Sequence, residues 1–387
     1  MTSTVWPQMD YQDYSQLSPP EMGPRPSLLP FLADHHLPYI VPAIVYWVTS
    51  FIFHYIDTRG LLSACKLHTP AEDLTKNRAT KTNVIKFALF QQACQCTLGY
   101  LMAAEEHFVS HKYAIAVWAQ RIRYGEIWAI QWMRYLGLEL AWIANDSKGF
   151  GSGFSAPFIQ DIYGSNIGNL SQVVQPQTVM VPITFSAWEL ITAKSFYWIF
   201  VPLFQYISVM VLADTMQYFT HRAFHVNKWL YKHIHSMHHD IYVPYAYGAF
   251  YNHPLETIPI DMVLFPMCLA IAQLDNRQAT IFGAIWTFKT VVDHCGYDFP
   301  YNPCNVVCPH SVLFHDLHHQ TWGMKHNFSV YGSFWDRLMG THWSPFDERA
   351  QEKYKRGKVT AETSAAKKKL REKAPAMVAG NSTAVEI

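Results

Sequence analysis

Charge is scarce in this chain. Only 15% of its 387 residues are Asp, Glu, Lys or Arg, against roughly 25% in ordinary soluble domains. The 30 basic and 29 acidic side chains nearly cancel, which removes the field that bulk attraction to nucleic acid requires. Cysteine is sparse too. The 7 cysteines are scattered, an odd number with no C-x-x-C pair. That argues against a disulfide framework and fits buried thiols of a reducing compartment. Walker loop, dinucleotide fingerprint and Ser/His/Asp arrangement are all missing. So are flavin, nicotinamide and haem motifs, including the His-Pro-Gly-Gly of an N-terminal haem domain. No internal repeat is evident. Residues 1–30 are rich in Pro, Ser and Gln and read as a disordered lead-in. They lack the basic region and apolar core of a signal peptide. The N-x-S/T triplets at Asn145, Asn169, Asn327 and Asn381 are of a kind that arises by chance.

Apolar and aromatic residues fill the place of charge, at 50% and 15% of the chain. Leu37 to Ile56 contains no Asp, Glu, Lys or Arg. At 1.5 Å per residue about 20 residues span about 30 Å, the hydrocarbon thickness of a bilayer. Further runs cover Val84–Ala104 (interrupted by Lys86, Gln91, Gln92 and Gln95), Phe196–Ala213, Ile258–Leu274 and Ala279–Val292. Residues 113–143 mix aromatics with Arg121, Arg123, Glu126 and Arg134 and read as an interfacial or bundle-packed helix. Chain segments in lipid must satisfy their own backbone hydrogen bonds, so helix should dominate. The expected fold is all-α: a multi-pass transmembrane bundle with a helical cap. Four segments are expected: the lead-in, membrane and interfacial helices over 31–195 with a Gly-rich loop at 145–177, a histidine-bearing domain over 196–345, and a polar tail over 346–387.

Histidine is the anomaly. Most of the 20 lie in the second half of the chain, and neutral imidazole is the commonest metal ligand. Three clusters stand out: His221-x-x-x-His225, His235-x-x-His238-His239 and His315-x-x-His318-His319. On a helix, positions i, i+3 and i+4 face one way, so each cluster offers two or three imidazoles to one small region. Eight imidazoles exceed the needs of one four-coordinate zinc and argue for two metals. His225 and His235 are ten residues apart, about 15 Å of helix rise. The chain should therefore turn between them, at Val226-Asn227-Lys228. The first pair follows an apolar run, which puts the site beside a membrane boundary. Arg222, Lys228, Lys232 and Lys325 near the clusters point to the cytoplasmic side. His233 should face elsewhere. The residues alone leave His294 and His253 open as ligands, and Arg222, Asp316 and Asn327 are candidates for orienting imidazoles from behind.

These clusters resemble the three histidine boxes of the fatty acid hydroxylase/sterol desaturase superfamily. Within it the chain is most similar to the fungal sphinganine C-4 hydroxylases. The similarity is carried by Asp214–His221, His225–Tyr231, His235–His239, Val243–Pro254, Asp293–Tyr297 and Phe314–His319, and in the N-terminal part by Tyr46-Trp47 and Leu67-His68-Thr69-Pro70. The resemblance implies two iron ions, dioxygen, and electrons from NAD(P)H through cytochrome b5 or its reductase. It implies an endoplasmic-reticulum membrane protein whose metal site faces the cytoplasm. The implied reaction is C-4 hydroxylation of sphinganine or dihydroceramide, with a sphingoid base or ceramide and membrane lipid as partners. It adds His294 and His253 to the ligand set. The rival readings are a sterol C-4 methyl oxidase or C-5 desaturase, and, in another class, a non-enzymatic zinc-binding membrane protein.

Overall fold

The computed structural model describes residues 22–103, 106–136, 185, 187–306 and 308–381. The Gly-rich stretch 145–177, most of the lead-in and the last six residues of the tail lie outside them. The helices are α1 (Leu37–Thr58), α2 (Pro70–Lys76), α3 (Lys81–Met102), α4 (His111–Tyr135), α5 (Ala187–Val226), α6 (Lys228–His233), α7 (Pro254–Ile271), α8 (Asn276–Asp293), α9 (Ser311–His319), α10 (Phe334–Leu338) and α11 (Glu348–Asn381). Single π turns interrupt α5 at Phe196–Phe200 and α7 at Ile260–Leu264. The all-α expectation holds, with one addition among the described residues: a two-stranded antiparallel ribbon, β1 (Met22–Pro24) with β2 (His107–Val109).

Two compact units divide the chain, one within residues 1–25 and 107–204, the other within 26–106 and 205–387. The first holds the ribbon, α4 and the start of α5. Arg123 of α4 and Glu189 of α5 form a buried bidentate pair, both N···O distances being 2.6 Å, the geometry that best offsets desolvation of two charges.

The second unit carries the histidines. There α1 packs along α8 and against α3. Close approach needs small residues: a Cβ on Gly99 of α3 would fall 2.2 Å from the Tyr39 ring of α1. Local sequence sets the helix starts. Thr69 with Glu72 opens α2 and Asp275 with Gln278 opens α8, each a reciprocal capping box. Among the described residues three helices are long and apolar enough to cross a membrane: Asp34–Thr58, Ala187–Val226 and Pro254–Ile271. Ile44, Val48, Phe51, Ile52 and Tyr55 form an exposed apolar stripe on α1, the surface that lipid would cover. The weaker runs of the sequence form α3 and α8, but neither is among these three. Their polar residues explain why: Gln91 and Gln92 of α3 are buried, as are Lys289 and Asp293 of α8, paired at 2.5 Å.

Candidate metal centre

His221 and His225 lie one turn apart at the end of α5. The chain then turns at Asn227, whose backbone is extended and whose Oδ1 accepts the N–H groups of Trp229 (2.9 Å) and Leu230 (3.2 Å). This cap starts α6 and brings the second cluster back toward the first. His235–Asp240 then forms a 3₁₀ turn instead of the expected α-helix. His294 follows the last residue of α8, and α9 carries His315, His318 and His319.

These segments converge on two adjacent groups. His221, His225, His235, His239 and His318 form the first, and His238, His294, His315 and His319 the second. Within each group one ligand-capable nitrogen per residue lies within 4.8 Å of all the others. The clusters of the sequence are thus divided between groups. His238 leaves its neighbours for the second group, and His318 leaves its own for the first. His225 is half-buried, and the other eight rings are buried. His253 belongs to neither group: it caps α7, its Nδ1 accepting the N–H of Leu255 at 3.2 Å. His233 is exposed and packs on Trp229.

Hydrogen bonds fix which nitrogen six of the nine rings offer; Nδ1 of His239 and of His315 are buried without a partner. Nδ1 of His221 faces the Phe328 carbonyl at 2.8 Å, that of His318 the His326 carbonyl at 2.7 Å, and that of His235 the Glu256 carboxylate at 2.9 Å. In the second group Nδ1 of His294 faces the Thr290 carbonyl (2.8 Å), that of His319 the Ile241 carbonyl (2.9 Å), and that of His238 the Tyr251 carbonyl (3.3 Å). A carbonyl only accepts, so each Nδ1 carries the proton and each neutral ring presents a bare Nε2. Nε2 atoms meet inside both groups. The His315–His294, His315–His319 and His225–His239 pairs lie 3.0, 3.1 and 3.1 Å apart. Nε2 of His235 and of His318 are buried without a partner. Converging lone pairs in an apolar interior repel unless a cation sits between them, so the residues fit bound metal.

Burial holds the rings neutral. It is the largest cause of the fall of His238, His239, His315, His318 and His319 well below the ordinary imidazole range, and neighbouring imidazoles add to it. His294 is lowered to about 4, mainly by burial. Neutral imidazole is the form that ligates.

The three residues expected behind the ligands act differently. Asn327 bonds no imidazole. Its side chain ties the Phe314 and Trp343 carbonyls and the Trp343 N–H at 3.1, 2.9 and 2.8 Å, and its backbone is left-handed at φ 59°. It thereby holds the loop whose carbonyls at His326 and Phe328 orient His318 and His221. Asp316 points away from the centre, to His68 Nε2 (2.8 Å) and the Tyr354 hydroxyl (2.7 Å). Arg222 reaches the Tyr218 hydroxyl at 3.2 Å. Sequence reasoning missed Glu256, the one side chain among the described residues whose carboxylate bonds a ring of either group. It missed Asp336 as well, which accepts the N–H groups of Phe328 and Ser329. Glu256 stands just before the Ile258–Leu274 run, and an acid at the edge of an apolar segment was the available signal.

Two cavities meet beside the histidines. One, of about 80 Å³, is lined by His221, His235, His238, His294 and His315. The other, of about 340 Å³, lies among α1, α3, α7 and α8, with Tyr39, Leu98, Met262 and Leu269 in its wall. Phe250, Asp261 and Trp286 line both.

Apolar membrane-capable helices leading into a buried imidazole centre point to the class of membrane proteins that place a metal site beside a lipid's path. The chain belongs to the fatty acid hydroxylase family, whose model matches residues 206–341 and so spans both histidine groups. It is 33% identical over 323 residues to the sphingolipid C4-hydroxylase of Schizosaccharomyces pombe, covering 82% of this chain and 92% of that one. It is 30% identical over 340 residues to the sphingolipid C4-hydroxylase of Saccharomyces cerevisiae, 87% and 80% of the two chains. It is 43% identical over 313 residues to a very-long-chain aldehyde decarbonylase of Oryza sativa, 81% and 90% of the two chains. No solved structure matches significantly.

Proposed function

We propose that this chain is a membrane monooxygenase that hydroxylates sphingoid bases at C-4, giving the phytosphingosine type of base. One observation carries the chemistry: nine imidazoles in two adjacent groups beyond an apolar helix, with an apolar cavity sharing Phe250, Asp261 and Trp286 with the one the histidines line. The substrate assignment is supported by the C4-hydroxylase relatives, which match over four-fifths or more of this chain.

The nine histidines of the two groups are the proposed ligands of two iron ions. Bound there, the irons supply dioxygen activation: one oxygen atom enters a C–H bond, and two electrons and two protons carry the other to water. The chain's own residues do the rest. Carbonyls and Glu256 fix six of the rings and keep their Nε2 free. The buried shell excludes water. The larger cavity holds the alkyl chain so that a chosen carbon faces the histidines. Electrons come from NAD(P)H through cytochrome b5 or its reductase, in keeping with the missing flavin and haem motifs. The location is the membrane of the endoplasmic reticulum with the centre facing the cytoplasm, which the basic residues near the clusters support.

Metal-loaded protein in membranes, given sphinganine, dioxygen and a reductant, should form 4-hydroxysphinganine carrying one atom of labelled dioxygen. Restored phytoceramide in cells lacking C-4 hydroxylase is the expected cellular result. Oxidation of methylsterols, or conversion of long aldehydes to hydrocarbons, with no C-4 product would overturn the assignment.

A further inference from the structure

Asp261 occupies the π turn of α7, inside one of the three membrane-capable helices. π turns are common at functional sites, and an ionisable group at such depth is costly and usually serves a function. Its Oδ2 accepts Nε2–H from Gln95 at 3.1 Å and from Gln91 at 3.4 Å, both on α3. Amide dipoles orient a carboxylate but bring no positive charge. Among the described residues lining the two cavities there is no Lys or Arg, while Glu256 adds a second carboxylate to the histidine cavity. Glu256 is engaged with His235; Asp261 lines both cavities and faces open space. The arrangement fits a ligand with a long apolar chain and a cationic nitrogen close to the carbon that faces the histidines.

We propose that Asp261 binds the C-2 ammonium of the sphingoid base, so that the free long-chain base is the preferred substrate over the N-acylated ceramide. This rests on the C-4 hydroxylation reading. The C-2 nitrogen sits two carbons from C-4, so a carboxylate at the junction reaches it while the tail fills the larger cavity. N-acylation replaces the ammonium with a neutral amide and removes the charge that Asp261 recognises. The charge-assisted contact also fixes how far the chain slides into the cavity, and hence which carbon is presented.

The test compares wild-type, Asp261→Asn and Asp261→Glu full-length protein, metal-loaded and detergent-solubilised, with sphinganine and N-acylsphinganine. Both turnover and equilibrium binding are read. Asp261→Asn should raise KM for sphinganine at least tenfold, weaken its binding in parallel, and lower the sphinganine-to-N-acyl ratio of kcat/KM at least tenfold. Asp261→Glu should retain most of the ratio. If Asp261→Asn does not fold, Gln95→Leu, which loosens the carboxylate without removing it, should lower the ratio several-fold. An equal loss for both substrates, or unchanged sphinganine binding, overturns the proposal. A folded wild-type protein that makes no C-4 product from either substrate overturns the functional reading itself, and that result is seen before any variant is made.

Discussion

The five-histidine group and the four-histidine group are held by different means. In the first, one carboxylate and two carbonyls of a single loop orient His235, His318 and His221. In the second, carbonyls at Tyr251, Thr290 and Ile241, on separate segments, orient His238, His294 and His319. The first group also contains the half-buried His225. A carboxylate partner raises the basicity of its imidazole more than a carbonyl does. The first group is therefore tunable through Glu256 and dependent on one loop, whereas the second is insulated and distributed.

Ligand removal tests whether the two groups work as one unit. His318→Ala in the first and His238→Ala in the second should each cut turnover at least a thousandfold while leaving membrane insertion intact, with bound metal counted by metal analysis. Full activity in either variant would separate the groups and refute that ligand. Glu256→Gln should be smaller and one-sided: about a 10- to 100-fold loss of metal affinity, confined to the five-histidine group. An equal loss from both groups would mean that they are not held independently. Asn327→Ala should cost about 2–4 kcal/mol of stability, since it removes several buried hydrogen bonds, and should loosen the first group more than the second. Thermal unfolding with metal analysis checks both effects.

The smallest effect is expected outside both groups, at His68. Burial alone would lower its pKa, but the Asp316 and Glu72 carboxylates outweigh that and raise it to about 9. A histidine raised in the folded state stabilises fully below its unfolded value near 6.5, and that contribution fades as pH rises through about 9. Wild-type stability should therefore decline between pH 6.5 and 9, and His68→Gln should flatten the decline. A variant with the same slope as wild type would refute the pairing. Asp316 neighbours His315, so this pair also tests whether α9 depends on its outer face.

Much of this was legible in order along the chain. The Leu37–Ile56 run became α1, the turn at Asn227 fell where the His225–His235 spacing demanded it, and the three clusters met. These are local signals: charge-free length, capping chemistry and repeated spacing act between residues close in sequence. The 3₁₀ turn at His235–Asp240 was not legible, because i, i+3 spacing suits either helix and packing decides between them. Nor were the carbonyls behind the rings, since every residue has one.

That apolar helices alternate with imidazole clusters is written residue by residue, in hydrophobic length and ligand type. That His238 and His318 change groups, that Glu256 stands behind His235, and that Asp261 lines both cavities was set by folding. Those outcomes depend on the crossing of segments far apart in the chain, where close packing and the need to satisfy each buried polar atom choose the partner.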